Sequence, residues 1–158
     1  MKILFTAIMI LGVFSYSNAI SCDGSDPLCV AVIVFEKGIS FRYNELQDYY
    51  CKENQFALQL AIKGSEIAIA EMKKKGIDYY KQAKNDFSDL HYELIKKTEQ
   101  KAKVQVSGKI IHELEGTTFR HSSDEEKILD LKNINDSWVF CSDQLAKNSK
   151  RVLNSANP

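Results

Sequence analysis

Hydrophobic and polar positions along this chain fall mostly into helical spacing. At 100° per residue, Ala57, Leu58, Leu60, Ala61, Ile62, Ile67, Ala68, Ile69 and Met72 cover more than half of a helix circumference, with Phe56 at one edge. Gln59, Lys63, Glu66 and Lys73 recur at steps of four, three and seven, so the polar residues crowd into one narrow strip. A helix with so little polar surface is normally enclosed on several sides. The spacing therefore places 56–72 at the centre of the molecule, within a helix over about 45–75. Lys63 and Glu66 at its middle argue against a membrane span.

Other stretches repeat the pattern more weakly. Asp26 followed by Pro27 is a cap with Pro at the first helical position. Beyond it, Leu28, Val32, Phe35, Ile39, Tyr43, Leu46 and Tyr50 keep a helical stripe. The Val-rich run from Val30, with Gly38 before alternating Ile39, Phe41 and Tyr43, leaves a short β-hairpin near 30–43 as the alternative. Asn44 and Gln47 have capping-box spacing. Gly76 after three lysines reads as a helix stop, and Tyr80, Ala83, Phe87, Leu90 and Leu94 then step by three and four, which predicts a one-sided helix folded back on the central one.

The stretch 104–111 is ambiguous, since Val104 and Val106 alternate like a strand while Ile110, Ile111 and Leu114 return to helix spacing. Ser123 and Glu126 form a capping box before Ile128, Leu129 and Leu131. A turn at 133–136 leads to a last helix near 137–153, with Trp138, Cys141 and Leu145 on one face and Phe140 among polar residues on the other. The expected fold is mainly α, a small helical bundle with two disulfides.

The first residues have another pattern. Lys2, an apolar run over 3–14 and Ser17-Asn18-Ala19 have the order of a signal peptide, so 1–19 is expected to be a cleaved leader and 20–158 a single secreted helical domain with no membrane span. Lys plus Arg and Asp plus Glu each total 21. Without a concentrated positive field, nucleic acid is not an expected partner. Cys22, Cys29, Cys51 and Cys141 are an even set suited to two disulfides, and the favoured pairing is Cys22 with Cys29 and Cys51 with Cys141. Asn135-Asp136-Ser137 is an N-glycosylation sequon in the turn at 133–136.

Candidate chemistry is sparse. His91, His112 and His121 lack partners at ligand spacing, and His112-Glu113 begins a zinc-protease motif whose second histidine is absent. Neighbouring acids such as Glu113 with Glu115 point apart on a helix. No Gly-rich phosphate loop or G-x-S-x-G elbow occurs. No catalytic residue, metal or cofactor is therefore expected. The expected function is that of a secreted, non-enzymatic binding or effector protein acting through a protein partner, with Phe140, Tyr49 and Tyr79 as the partner surface. The alternative is an extracellular carrier of a lipid or other apolar ligand, in a cavity lined by the 56–72 helix.

Overall fold

A computed structural model describes residues 24–155. The protein is mixed, 43% helical and 36% strand, around a curled antiparallel sheet that forms a half-barrel, and this overturns the expected helical bundle. The stretch 1–19, expected to be a leader, and Cys22 lie outside the described residues.

Helix α1, Pro27–Ile39, begins where the sequence places it: Asp26 accepts a hydrogen bond from the Leu28 amide at 3.1 Å, with Pro27 at the first turn. The hairpin alternative for 30–43 is thereby excluded, and the capping-box spacing at Asn44 lies within a 3-10 helix, Tyr43–Tyr49. Helix α2 is Gln55–Lys74. It stops at Gly76 as expected, in the left-handed region at φ 81°, with Gly76 N–H on the Lys73 carbonyl and Ile77 N–H on that of Met72. A short helix α3, Tyr79–Gln82, follows.

From there the expected helices are strands: β1 Ala83–Asp86, β2 His91–Lys97, β3 Lys101–Leu114, β4 Arg120–Ile134 and β5 Ser137–Phe140. Strands β1 and β2 pair with successive parts of one edge of β3, and the order continues β3, β4, β5, all antiparallel. The last helix, α4, is Asp143–Ser155, so the residues from Ser137 to Phe140 belong to the sheet instead.

Alternation along β3 builds the core. Ala102, Val104, Val106 and Ile110 share one face and are buried, and Leu131 of β4 with Trp138 and Phe140 of β5 extend that face. Helix α1 lies in the concave side, where Val30, Ala31, Val34 and Phe35 meet these side chains. The sheet bends where β1 gives way to β2. There Gly108 of β3, at φ 126°, faces the Asp89 and Leu90 backbone at a distance no side chain could occupy.

Helix α2 is not the core. It lies outside α1, packing on the 3-10 helix and on α4, and only Leu58 and Ser65 are buried along its length. Ile67 is 66% exposed and Leu60 is 48% exposed. The Cys51–Cys141 disulfide is formed and joins the segment before α2 to the segment before α4. Cys29 is disulfide-bonded as well. No described helix is long and apolar enough to cross a membrane.

Candidate functional site

The inward alternation of β3 does not stop where α1 does. His112 and Leu114 have the same parity as Val104, Val106 and Ile110, so they face the concave side beyond the helix end. Strand β1 sets Asn85 directly across from His112, and β4 sets His121 across from it on the other side, with Ser123 one step along. A row of polar side chains thus crosses three strands.

Each member of the row has a partner. Asn85 donates from Nδ2 to Ser40 Oγ at 3.2 Å, which leaves Oδ1 to accept from His112 Nδ1 at 2.9 Å. His112 Nε2 then accepts the Ser123 hydroxyl at 3.1 Å. With the ring neutral, this arrangement places its proton on Nδ1. Burial pushes the His112 pKa down, and the stacked ring of His121, with centroids 6.2 Å apart, pushes the same way, while Glu125 opposes them. Both effects favour the neutral ring.

Next to this row the sheet opens into a cleft of about 390 Å³. Its walls are Ile39 and Phe41 at the end of α1, Met72 at the end of α2, Tyr79 of α3, and Ala83, Asn85, His112, Glu113, Leu114 and Phe119 from the sheet and its β3–β4 turn. A smaller hollow of about 120 Å³ continues behind Tyr79, Ala83 and Asn85 toward Ser40 and Arg42. Most of the cleft wall is hydrocarbon. The polar groups that reach it are already engaged: Asn85 as above, and Glu113 by Arg120 at 3.2 Å.

The backbone at the rim is unusual. Phe41 sits at φ 57°, the position after α1 where glycine is the ordinary choice. The Arg42 amide bonds the Lys37 carbonyl at 2.9 Å, the Tyr80 hydroxyl donates to the Phe41 carbonyl at 3.1 Å, and the Phe41 ring leans on Tyr79 at 5.2 Å between centroids. A bulky residue held left-handed costs on the order of 1 kcal/mol. Its effect is to turn the ring into the cleft wall. Desolvation raises the Tyr79 pKa, offset in part by a hydrogen bond with Asn85.

Comparison of the chain with protein-family models, curated proteins and solved structures finds no match. The geometry alone carries the functional argument.

The residues singled out from sequence are scattered. Phe140, expected at a partner surface, is 8% exposed and packs edge-on against Tyr50 at 5.0 Å in the core. It left the surface because it belongs to β5 rather than to a helix. Tyr49 is half-buried at the edge of the core, and Tyr79 lines the cleft. Of the 56–72 stretch, expected to line a cavity, only Met72 reaches the cleft. Asn135 is exposed at the β4–β5 turn, where it and Asp136 have φ of 51° and 63°. Cys51, Glu53 and Cys141 lie close together, but the two sulfurs are consumed in the disulfide and are not metal ligands.

Asn85, Ser123, Phe41 and Phe119 were missed. Their signal is cross-strand register, which single-sequence spacing does not contain. Asn85, His112 and Ser123 also have the order of an orienting group, a base and a hydroxyl nucleophile. Ser123 is not part of the cleft wall, however, and a ligand there meets the Asn85 and imidazole edge instead of the hydroxyl.

Proposed function

We propose that this protein is a non-enzymatic binding protein that holds a small, mainly apolar ligand in the cleft at the open end of the half-barrel. The observation that carries this reading is the cleft itself, about 390 Å³ of mostly hydrocarbon wall between the ends of α1 and α2 and the concave sheet. That volume is at the lower end of small-molecule sites, which run from roughly 300 to 1,000 Å³. The engaged state of Asn85 and His112 supports an apolar ligand over a charged one, because a charge there would have to displace existing hydrogen bonds. The geometry favours this carrier reading over action through the rings Phe140, Tyr49 and Tyr79, since the first is in the core and the last faces the cleft.

Secretion belongs to the same proposal, with residues 1–19 as the leader. Its support is the leader-like sequence and the Cys51–Cys141 disulfide, a bond that persists in oxidising compartments. Expression of the full chain in a secretory host should release protein that lacks residues 1–19.

The dye anilinonaphthalene sulfonate tests the cleft. It should fluoresce with the wild-type protein, and Ala83→Phe, which grows a ring into the cleft from β1, should weaken binding at least tenfold while leaving the melting temperature nearly unchanged. Native mass spectrometry of protein purified from its source should show a retained small mass that Ala83→Phe loses. Equal dye binding by both proteins, with no retained mass, sinks the proposal.

A further inference from the structure

Helix α2 presents an apolar face that no described element covers. Leu60, 48% exposed, and Ile67, 66% exposed, stand about one turn either side of Gly64, and Phe56 extends the same face toward the helix start. The packed side of the helix is elsewhere, at Leu58, Ile62 and Ser65. Gly64 faces open space, with nothing within 4 Å of an added Cβ. Another backbone could therefore approach closely at the middle of the helix.

Past Ile67 the face ends in Glu71 and Lys74, which pair with each other at 2.6 Å, and the charges on its flank suit a second copy of itself. Lys63 and Glu66 flank the apolar stripe on one side, both exposed, and among the described residues neither has an ion-pair partner. In an antiparallel pair related by a two-fold axis near Gly64, that flank meets its own copy. Lys63 of each protomer then lies beside Glu66 of the other, twice. The same axis sets Leu60 against Ile67 across the seam and brings Lys75, past the basic end of α2, opposite Glu53 before its start.

We propose that α2 is a homodimer interface, formed by antiparallel packing of the Leu60, Gly64 and Ile67 face about a two-fold axis. The contact is isologous, so it closes at two copies. Its footprint, a helix about 30 Å long and about 10 Å wide, is roughly 300 Å² per protomer, below the size of a standard interface, so the dimer is expected to be weak.

Sedimentation velocity and cross-linking test this on the full folded protein. Wild type should shift from monomer toward dimer as its concentration is raised to the highest the protein will bear. Ile67→Glu, at an exposed site, should keep the melting temperature and weaken dimerisation at least tenfold. Under mild oxidation Gly64→Cys should form a disulfide-linked dimer readily. Lys75→Cys should not, because the two copies of that position would be about 33 Å apart in the antiparallel pair. A protein that stays monomeric at every concentration overturns the proposal, and so does a dimer unaffected by Ile67→Glu. Cross-linking at position 75 as readily as at 64 also overturns it. Co-sedimentation of the monomer with phosphatidylcholine vesicles would assign the face to a lipid surface and reject the dimer.

Discussion

Gly108 is the residue on which the curl of the sheet depends. A Cβ there would fall onto the Asp89 carbonyl oxygen, and the φ of 126° is strained for any other residue. Gly108→Ala is expected to cost more than about 2 kcal/mol, well above the ordinary gain from replacing a glycine, and urea denaturation measures it. His112 gives a pH signature. Its pKa is lowered in the folded state, so the folded protein holds the ring neutral while the unfolded chain binds a proton more readily. The stability this contributes is present above the unfolded value near 6.5 and is lost as pH falls through the folded value. The urea midpoint should therefore drop as the pH falls below about 6.5, and His112→Gln should flatten that drop. An identical pH profile in the variant would remove His112 as the cause. Asn135 belongs to this scale too: if the chain is secreted, peptide mapping should find a glycan there, since the turn is exposed. The turns at Asp26-Pro27, Gly76 and 133–136 were all legible in the sequence, because capping and turn chemistry are local. Phe41 was not, as nothing local marks an aromatic residue for the left-handed region.

At the scale of elements, the strands were hidden by a phase shift. Ala83, Asn85 and Phe87 alternate inward, Ser88 and Asp89 are exposed at the bend, and Leu90, Tyr92 and Leu94 resume the alternation one position out of step. Ala83, Phe87, Leu90 and Leu94 consequently fall at steps of four, three and four, which imitates a helix. In β4 the imitation has a different cause. Ser123 and Glu125 occupy inward positions of the strand, so polar residues sit where a core strand would be apolar. Helix α2 shows the converse failure. Its breadth of apolar surface implied enclosure, yet the sheet had already been filled by α1. Truncations separate the two sides of α2. Leu58, 1% exposed, packs into the core, and Leu58→Ala should cost about 2 to 5 kcal/mol. Ile67→Ala should change monomer stability by no more than about 0.5 kcal/mol, as at other surface sites. Equal large losses at both positions would mean that α2 is enclosed after all.

For the molecule as a whole, the decisive join is between the segment before α2 and the segment that follows the sheet. The pairing of Cys51 with Cys141 was among the sequence expectations, although the sheet it closes was not, because cysteine identity is visible locally and strand pairing is not. The bond spans 90 residues of sequence and so encloses most of the fold, including β1 to β5 and α2. Hydrogen bonds reinforce the same place. The buried Asn54 side chain donates to the Ser142 carbonyl at 2.9 Å and accepts from the Ser142 amide at 2.6 Å, and the Cys51 amide bonds the Phe140 carbonyl at 3.0 Å. On the loop-entropy model, a bridge of this span contributes about 4 to 5 kcal/mol by restricting the unfolded chain. Domains are stable by only about 5 to 15 kcal/mol. Replacing both cysteines, Cys51→Ala with Cys141→Ala, should therefore bring the protein close to unfolding at 37 °C, whereas Asn54→Ala should cost about 1 to 3 kcal/mol for the unpaired Ser142 groups. The two kinds of change act differently. The disulfide works on the unfolded state and Asn54 on the native join, so the losses should add within about 0.5 kcal/mol if the join keeps its geometry without the bond. A combined loss well below the sum would show that the Asn54 clasp opens once the disulfide is gone, and that the covalent bond holds the end of the sheet against α2. Guanidinium unfolding of the wild type, the cysteine pair variant, Asn54→Ala and the triple variant distinguishes these outcomes.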